Sequence, residues 1–365
     1  MTVTTTAAVL RDPSAPFTLE EVTLGELGPD EVLVRIVGAG FCHTDVLPRD
    51  LMAQALPAIL GHEGSGVVVK VGTNVHDLAA GDNVVLSFAS CGECGPCASG
   101  HPAYCVHFNL LNVSGRNLDG SVSATDTNGE PVGNRWFGQS SFAEHSIVAR
   151  RSVVKVDAEL PLELLGPLGC GIQTGAGAVL NVMKVQPGQS IVVFGAGAVG
   201  LAAIMAAKLA GASDIVAVDL HENRLKLALE LGATRTALAN DPDVDDLVLN
   251  GGTGLDFALD TTGVEDVMSL ALTVLGFGGQ LVLVGASMDG LVVHPTQLSG
   301  KTVTYIFEGD SDPQLFIPQL VEHWKAGKFP FERLIETFPL AQINEAEAAS
   351  KSGAVIKPVL RVSAV

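Results

Sequence analysis

Four of the chain's six cysteines fall within fifteen residues, in the stretch CGECGPCASGHPAYC. They are Cys91, Cys94, Cys97 and Cys105, and the glycines between them let the backbone wrap closely around a small cluster. Thiolates at this spacing suit a tetrahedral zinc ion. A ferredoxin-type loop would carry its fourth cysteine three residues on, before a proline, whereas Val106 follows here. We rank a structural zinc first, an iron–sulfur cluster second and disulfides last, because a long chain expected in the cytoplasm does not need disulfides.

The other two cysteines stand beside glycines, as does one histidine. Cys42 lies in GAGFCHTD after the alternating strand EVLVRIVG, Cys170 lies in LLGPLGCGIQTG, and His62 lies in LGHEGSG before another predicted strand. A lone cysteine is most often a small buried apolar residue, and a lone histidine is most often a satisfied core or surface residue. Taken together, two thiolates and one imidazole with a fourth position left open match a catalytic zinc site.

A third motif is a glycine-rich turn between a predicted strand and a predicted helix. The β-branched run 191–194 leads into Gly195-x-Gly197-x-x-Gly200, and a second strand ends at Asp219, nineteen residues after the last glycine. This context predicts a dinucleotide site with the pyrophosphate at the helix N-terminus. Asp219 would accept hydrogen bonds from the ribose hydroxyls and repel a 2′-phosphate, which favours NAD over NADP.

The elements that position these residues need more than one domain. A chain of 365 residues exceeds the size at which one hydrophobic core stops growing. The net charge of −19 and the absence of any Lys/Arg cluster exclude nucleic acid and anionic membranes as expected partners. Apolar runs are broken before the ~20 residues that a membrane span needs. The N-terminus has no basic start followed by an apolar core, so we expect no signal peptide and a cytoplasmic protein.

Taken together, the motifs resemble the zinc-containing medium-chain alcohol dehydrogenases over nearly the whole chain. The resemblance is carried by CHTD, GHEGSG, the four-cysteine loop, GCGIQTGAG, GAGAVG with Asp219, AGKFPFERLI and IKPVL. WFGQSSFAEHSIV, LPLELLGPLGCGIQTGAG and EGDSDPQLFIPQL resemble the aryl- and allylic-alcohol branch. The resemblance implies an α/β fold. A β-rich GroES-like catalytic domain would span 1–171 and 309–365, and a Rossmann domain with a doubly wound parallel sheet would span 172–308 and bind NAD. The active site would lie in the cleft between them.

The resemblance also implies a mechanism for a primary alcohol. Zinc held by Cys42, His62 and Cys170 would act as a Lewis acid on the alcohol oxygen while a hydride passes to NAD, giving an aldehyde and NADH. Thr44 would hydrogen-bond the substrate oxygen and pass on its proton. Asp45 would orient His62, as metal-bound imidazoles usually require.

The remaining implied residues contact the metal or the cofactor. Glu63 would stand behind the catalytic zinc and briefly join its coordination. The expected cofactor contacts are His43 and Lys357 at the pyrophosphate, Gly195, Gly197, Ala198, Val199 and Gly200 in the phosphate turn, Asp219 and Arg224 at the adenosine ribose, and Thr174, Val284, Ala286 and Ile306 at the nicotinamide.

One position departs from the better-known branch of the family, which has a histidine at the outer end of its proton relay. That position is Leu47 here, so the proton must leave another way, with His43 and His145 as candidates. An apolar wall suits a flat aryl or allylic alcohol; its expected members are Leu47, Leu51, Phe88, Leu110, Leu111 and Phe307. The alternatives are the same chemistry on aliphatic alcohols, polyols or a formaldehyde–thiol adduct, or a non-catalytic nucleotide-binding protein. The family's habit implies a homodimer or homotetramer.

Overall fold

The structure is a computed structural model that describes residues 2–249, 251–286 and 290–364. The chain divides into two compact units. The first consists of Met1–Cys170, Asp312–Gln319 and Glu332–Val365, and the second of Gly171–Ser311 and Leu320–Phe331. Compared with the domains expected from the sequence, the chain enters the second unit one residue earlier and returns to the first three residues later. The second unit also takes in Leu320–Phe331.

The strands and helices are as follows. The strands are β1 (Val3–Leu10), β2 (Thr18–Leu24), β3 (Glu31–Gly40), β4 (Ala58–Ile59), β5 (Glu63–Val71), β6 (Asn83–Leu86), β7 (Ala124–Asp126), β8 (Pro131–Val132), β9 (His145–Ala149), β10 (Val153–Lys155), β11 (Ser190–Phe194), β12 (Asp214–Asp219), β13 (Arg235–Leu238), β14 (Leu255–Asp260), β15 (Leu275–Leu283), β16 (Thr302–Tyr305), β17 (Ile335–Pro339) and β18 (Lys357–Arg361). The α-helices are α1 (Leu47–Asp50), α2 (Gly95–Ala98), α3 (Phe108–Val113), α4 (Leu162–Leu165), α5 (Gly171–Gly177), α6 (Ala198–Ala210), α7 (Glu222–Leu231), α8 (Val244–Leu249), α9 (Glu265–Thr273), α10 (Pro313–Lys325) and α11 (Ile343–Lys351).

The first unit is built from short strands in two sheets. One sheet has the order β4-β1-β2-β7-β8, and the other has the order β10-β6-β5-β3-β18-β17 with β9 also pairing with β3. The strand β3 is buried along most of its length because β5, β9 and β18 all pair with it. This confirms the β-rich fold predicted for the catalytic domain.

An aromatic cluster in the core of this unit fixes the end of β3. Phe41 stacks on Phe142 with ring centroids 5.5 Å apart, and Phe17 meets both rings edge-on. All three rings are buried, and burying one such side chain contributes about 1.5–3 kcal/mol. Because Cys42 follows Phe41 directly, this packing also fixes where the Cys42 side chain begins.

The second unit contains a six-stranded parallel sheet with the order β13-β12-β11-β14-β15-β16. The runs that form β11 and β12 are rich in Val and Ile and are buried, as expected for strands covered on both faces. The chain reverses its direction of winding between β11 and β14, and ligands of doubly wound sheets bind at this point, outside the carboxyl ends of the strands. The predicted Rossmann fold is confirmed. In the described part of the chain, no helix is long and apolar enough to cross a membrane.

Candidate active site

Four potential metal ligands converge in the first unit. Cys42 follows β3, His62 and Glu63 stand where β5 begins, and Cys170 directly precedes α5. The antiparallel register of β3 and β5 places Gly40 opposite Glu63, so the end of one strand meets the start of the other. As a result, the ligand atoms of the four side chains all lie within 4.8 Å of one another.

The His62 ring is buried and held on one side. Its Nδ1 lies 2.7 Å from Asp45 Oδ1, and Asp45 is completely buried. The other ring nitrogen, Nε2, is buried and has no hydrogen-bond partner among the described residues. A buried nitrogen without a partner is costly unless it has a ligand. The Nε2 atom belongs to a cluster with two thiols and a carboxylate, and this set of donors fits zinc.

The charges around the cluster favour a thiolate at Cys42. A hydrogen bond from Cys170 has the largest effect on Cys42. With the nearby charges of Lys357 and His62, it outweighs burial and holds the pKa of Cys42 well below its usual value. Burial lowers the pKa of His62, but the charge and hydrogen bond of Asp45 outweigh this and hold that pKa well above its usual value. Thiolates are the form of cysteine that binds metal.

Glu63 is paired with Lys357 inside the protein. The Lys357 ammonium donates to both carboxylate oxygens, at 2.8 and 2.9 Å, and both side chains are buried. Burial raises the pKa of Glu63, and the positive charge of Lys357 partly opposes that rise. Burial lowers the pKa of Lys357, but Glu63 and Cys42 more than compensate, so this pKa is raised. The ammonium predicted for the pyrophosphate therefore has a protein carboxylate as its partner.

The residues between Cys42 and Asp45 differ in exposure. Thr44 is half-buried with its hydroxyl 3.8 Å from Cys42 Sγ, and His43 is exposed. Of the expected apolar wall, Phe88 lies in the core against Phe108, with centroids 6.1 Å apart.

The four-cysteine loop brings its thiols together as a second cluster. The ligand atoms of Cys91, Cys94, Cys97 and Cys105 lie within 4.8 Å of one another, and Cys91 N donates to Cys105 Sγ at 3.3 Å. Backbone hydrogen bonds from Cys97 and Val106 lower the pKa of Cys94 to about 6, and burial raises the pKa of Cys97 to about 12. Four thiols with backbone donors fit a closed tetrahedral zinc site.

The glycine turn of the second unit has the shape that a phosphate site requires. Gly195 follows β11 with φ of 91°, and a Cβ on Gly200 would lie 1.8 Å from Gly195 O, so only glycine fits there. A Cβ on Gly197 would meet open space. The helix α6 begins at Ala198, where Ala198 and Val199 are half-buried, so the first backbone N–H groups of the helix are available to an anion.

Asp219 and Arg224 stand at the end of β12. The Asp219 carboxylate accepts hydrogen bonds from Ala196 N at 2.7 Å and His221 N at 2.9 Å, which ties the glycine turn to this strand end. Arg224 Nη1 lies 3.8 Å from Asp219 Oδ2. Arg224 Nε is buried and lacks a hydrogen-bond partner in the described residues, so the donor and the carboxylate together fit a ribose hydroxyl.

The residues expected at the nicotinamide belong to different parts of the second unit. Val284 follows β15, and Ile306 follows β16, so neighbouring parallel strands bring both to the carboxyl edge of the sheet. Ile306 and Thr174 are buried, whereas Ala286 is exposed. Thr174 lies on α5 and not at a strand end.

Sequence reasoning missed the loop that surrounds His62. Trp136 Nε1 donates to Asp45 Oδ1 at 3.1 Å, Phe137 stacks on the His62 ring, and Gln139 Nε2 donates to His62 O at 2.9 Å. In the sequence, the run WFGQSS indicates only the aryl- and allylic-alcohol branch. The available signal was a tryptophan followed by phenylalanine and glycine, but the sequence does not indicate which residues these side chains contact.

Comparisons with known proteins agree with this geometry. Family models described as "Alcohol dehydrogenase GroES-like domain" and "Zinc-binding dehydrogenase" match residues 28–158 and 198–322. A geraniol dehydrogenase of Castellaniella defragrans is 47% identical over 97% of this chain and 96% of its own length.

Two solved structures are also similar to this chain. An alcohol dehydrogenase zinc-binding domain protein from Burkholderia ambifaria has a TM-score of 0.96 and 49% identity, and all of both chains is covered. Benzyl alcohol dehydrogenase from Acinetobacter calcoaceticus has a TM-score of 0.95 and 41% identity, covering 99% of this chain and 100% of its own. The chain therefore belongs to the zinc-containing medium-chain alcohol dehydrogenases, and it is an enzyme that uses zinc and NAD to act on a small alcohol.

Proposed function

We propose that this enzyme oxidises primary aryl and allylic alcohols to aldehydes with NAD, and reduces the aldehydes in reverse. The chemistry rests on one observation, the buried cluster of Cys42, His62 and Cys170 with an unpartnered imidazole nitrogen. The substrate class rests on the relatives named for geraniol and benzyl alcohol, both primary alcohols whose carbinol carbon adjoins a π system.

Each residue near the metal cluster has a proposed task. When bound, zinc would supply Lewis acidity to the substrate oxygen and NAD would be the hydride acceptor. Cys42, His62 and Cys170 hold the metal, and Asp45 holds the His62 ring in the orientation that leaves Nε2 for the metal. The Thr44 hydroxyl accepts the alcohol proton and passes it outward, which its half-buried position permits.

Glu63 is proposed to join the metal ligands only briefly. Its two oxygens are engaged by the Lys357 ammonium, so the carboxylate must give up part of that pair to move. The four-cysteine site holds a structural zinc, which stabilises its loop and takes no part in the reaction.

The cofactor is proposed to follow the turn and strand ends of the second unit. The pyrophosphate meets the first N–H groups of α6 and the open side of Gly197, and the adenosine ribose meets Asp219 and Arg224. Thr174, Val284, Ala286 and Ile306 are the residues proposed to contact the nicotinamide.

A substrate panel tests the proposed function. NADH formation is followed by absorbance with benzyl, cinnamyl and geranyl alcohol, ethanol and a polyol, with zinc content measured per chain. The expected result is two zincs, with aryl and allylic alcohols preferred and NADP inert. A preference for ethanol or a polyol would keep the mechanism and overturn the substrate class. No turnover with any alcohol would leave only a nucleotide-binding protein.

A pair of Thr44 variants isolates the proton step. Thr44→Val removes the hydroxyl and keeps the shape, and Thr44→Ser keeps the hydroxyl as the matched control. Loss of a proton-transfer group reduces kcat by about 10²–10⁴-fold. We expect this loss in the valine variant and a loss below about tenfold in the serine variant. Equal rates for both variants would remove Thr44 from the proton path.

A homodimer or homotetramer remains a prediction from the family resemblance, and a cytoplasmic location remains a separate prediction from the sequence. Sedimentation velocity at micromolar concentration measures the assembly, and a monomer there would contradict the prediction.

A further inference from the structure

The loop from Trp136 to Ser141 contains three residues in the left-handed backbone region. The φ angle is 49° at Phe137, 67° at Gly138 and 48° at Ser140. This region suits glycine, but it is unfavourable for residues with a side chain and persists only where the surroundings enforce it. Phe137 and Ser140 are both buried. The contacts of the loop must therefore compensate for its conformation.

Those contacts lead to the segment that carries His62. Gln139 is fully buried; its Oε1 accepts from Gly64 N at 3.0 Å and its Nε2 donates to His62 O at 2.9 Å. Ser140 Oγ accepts from Trp136 N at 2.9 Å and closes the turn. The loop is thus fastened to the backbone at His62 and at Gly64.

The two side chains at the start of the loop meet the His62 system from different directions. Trp136 is completely buried, and its indole N–H donates to Asp45 Oδ1 at 3.1 Å. The Phe137 ring lies over the His62 ring with centroids 4.4 Å apart and 28° between the planes. In an extended strand, neighbouring side chains point to opposite faces. The left-handed turn at Phe137 instead lets both reach one imidazole and its carboxylate.

We propose that Trp136 is a positioning residue for the catalytic metal: its indole N–H fixes the Asp45 carboxylate that orients His62, while Phe137 holds the ring from its face. This deepens the proposed function and rests on its assignment of Cys42, His62 and Cys170 as metal ligands.

The hydrogen bonds to Asp45 explain why the indole matters. Asp45 accepts four of them: Oδ2 from Cys42 N, and Oδ1 from Gly61 N, His62 Nδ1 and Trp136 Nε1. The first two are backbone donors 3 and 16 residues from Asp45 in the sequence. The indole arrives from 91 residues away and connects the carboxylate to a separately anchored loop. Without it, the carboxylate and the ring it holds gain freedom to rotate.

Two tryptophan variants form the first test. Trp136→Phe removes the N–H and keeps an aromatic ring. Trp324→Phe is the matched control, since Trp324 packs against Phe331 in the second unit and is the chain's other tryptophan. Zinc release to a chromogenic chelator is followed over time, and the zinc of the four-cysteine loop serves as an internal reference.

The release rates separate a positioning role from a purely structural one. Changing a residue that orients a metal ligand reduces metal affinity about 10–100-fold. We expect the Trp136→Phe chain to release one zinc about 10–100-fold faster than wild type. The release rates of its other zinc and of both zincs in the Trp324→Phe control should be unchanged. The visible bands of the cobalt-substituted site should also shift. Unchanged release, or equal acceleration of both zincs, would overturn the proposal.

A second measurement does not depend on the stability of the Trp136 variant. In Trp324→Phe protein labelled with ¹⁵N-tryptophan, Trp136 gives the only indole N–H signal. That signal should move when the catalytic zinc is removed and return when zinc is restored, and a signal insensitive to this zinc would contradict the proposal. A wild-type chain that holds only the four-cysteine zinc would overturn both this proposal and the proposed function. Two zincs released from Trp136→Phe at wild-type rates would overturn this proposal alone.

Discussion

Replacing Lys357 with methionine tests which partner this buried ammonium serves. Methionine has a similar length and removes only the charge and its hydrogen bonds. Lys357 is 2% exposed and Glu63 is 0% exposed, so Glu63 would keep its carboxylate in the interior without the cation. Removing one partner of a buried ion pair costs about 3–5 kcal/mol, whereas an exposed pair contributes below about 1 kcal/mol. The burial of both side chains places this pair in the first category.

The expected loss of stability is confined to the strands that carry the ion pair, and it can be measured in those strands. A chain with two units does not unfold in one step, so a single unfolding free energy would mix their contributions. Hydrogen exchange of the β5 and β18 amides reports the opening of the two strands that carry the pair. At 1.4 kcal/mol per tenfold change, the predicted loss raises their opening equilibrium by about a hundredfold or more. The double variant Lys357→Met/Glu63→Gln should recover most of the lost stability, because neither side chain then leaves an unpaired charge buried.

The alternative assigns Lys357 to the cofactor, and a binding measurement distinguishes the two roles. NADH affinity is read from NADH fluorescence in the same variants. If Lys357→Met leaves exchange in β5 and β18 within about 1 kcal/mol of wild type while NADH binding weakens tenfold, the ammonium serves the pyrophosphate, and the reasoning from the buried pair is wrong. Glu63→Gln is the control, since it removes the charge pair and leaves the ammonium.

Three further changes have defined outcomes. Cys97→Ser should lose one of the two zincs and have a lower thermal midpoint. Cys170→Ser should lose the other zinc and all turnover, in a chain whose circular dichroism is unchanged. If zinc content and turnover fall together in both variants, the two sites do not have separate roles. Gly200→Ala forces a Cβ to within 1.8 Å of Gly195 O, so NADH binding by fluorescence titration should be lost, and wild-type affinity would refute the close packing. Asp219→Ser should raise kcat/KM for NADP relative to NAD by about tenfold or more, and an unchanged ratio would contradict the ribose assignment.

The dinucleotide half of the fold could be predicted because its signal is local. The strand, glycine turn, helix and second strand follow one another between residues 190 and 219, and each step has its own sequence pattern. The glycines have separate reasons in the structure: φ of 91° at Gly195 and a backbone contact at Gly200. These are constraints on the backbone itself, so they depend little on the rest of the chain.

The two metal clusters differed in how much the sequence could show. The four-cysteine loop contains all its ligands within fifteen residues, and their spacing alone indicates a tetrahedral site. Cys42 and Cys170 are 128 residues apart, so only their residue types, the glycines beside them and the family resemblance grouped them with His62. For Cys42 and His62 the structure gives the physical reason: β3 and β5 pair so that the residue after one strand meets the residue before the other.

The ion pair behind the cluster illustrates what no local pattern could reveal. Gly40 pairs with Glu63 on one side and with Val359 of β18 on the other, so the final strand brings Lys357 to the same strand end. A Cβ on Gly40 would lie 1.9 Å from Glu63 Oε2. The glycine therefore leaves space for the carboxylate that Lys357 holds. The sequence shows glycines near Cys42, but the cation that holds the facing carboxylate comes from a strand more than 300 residues away. Substituting Gly40 with alanine should consequently disturb the Glu63–Lys357 pair before it disturbs β3.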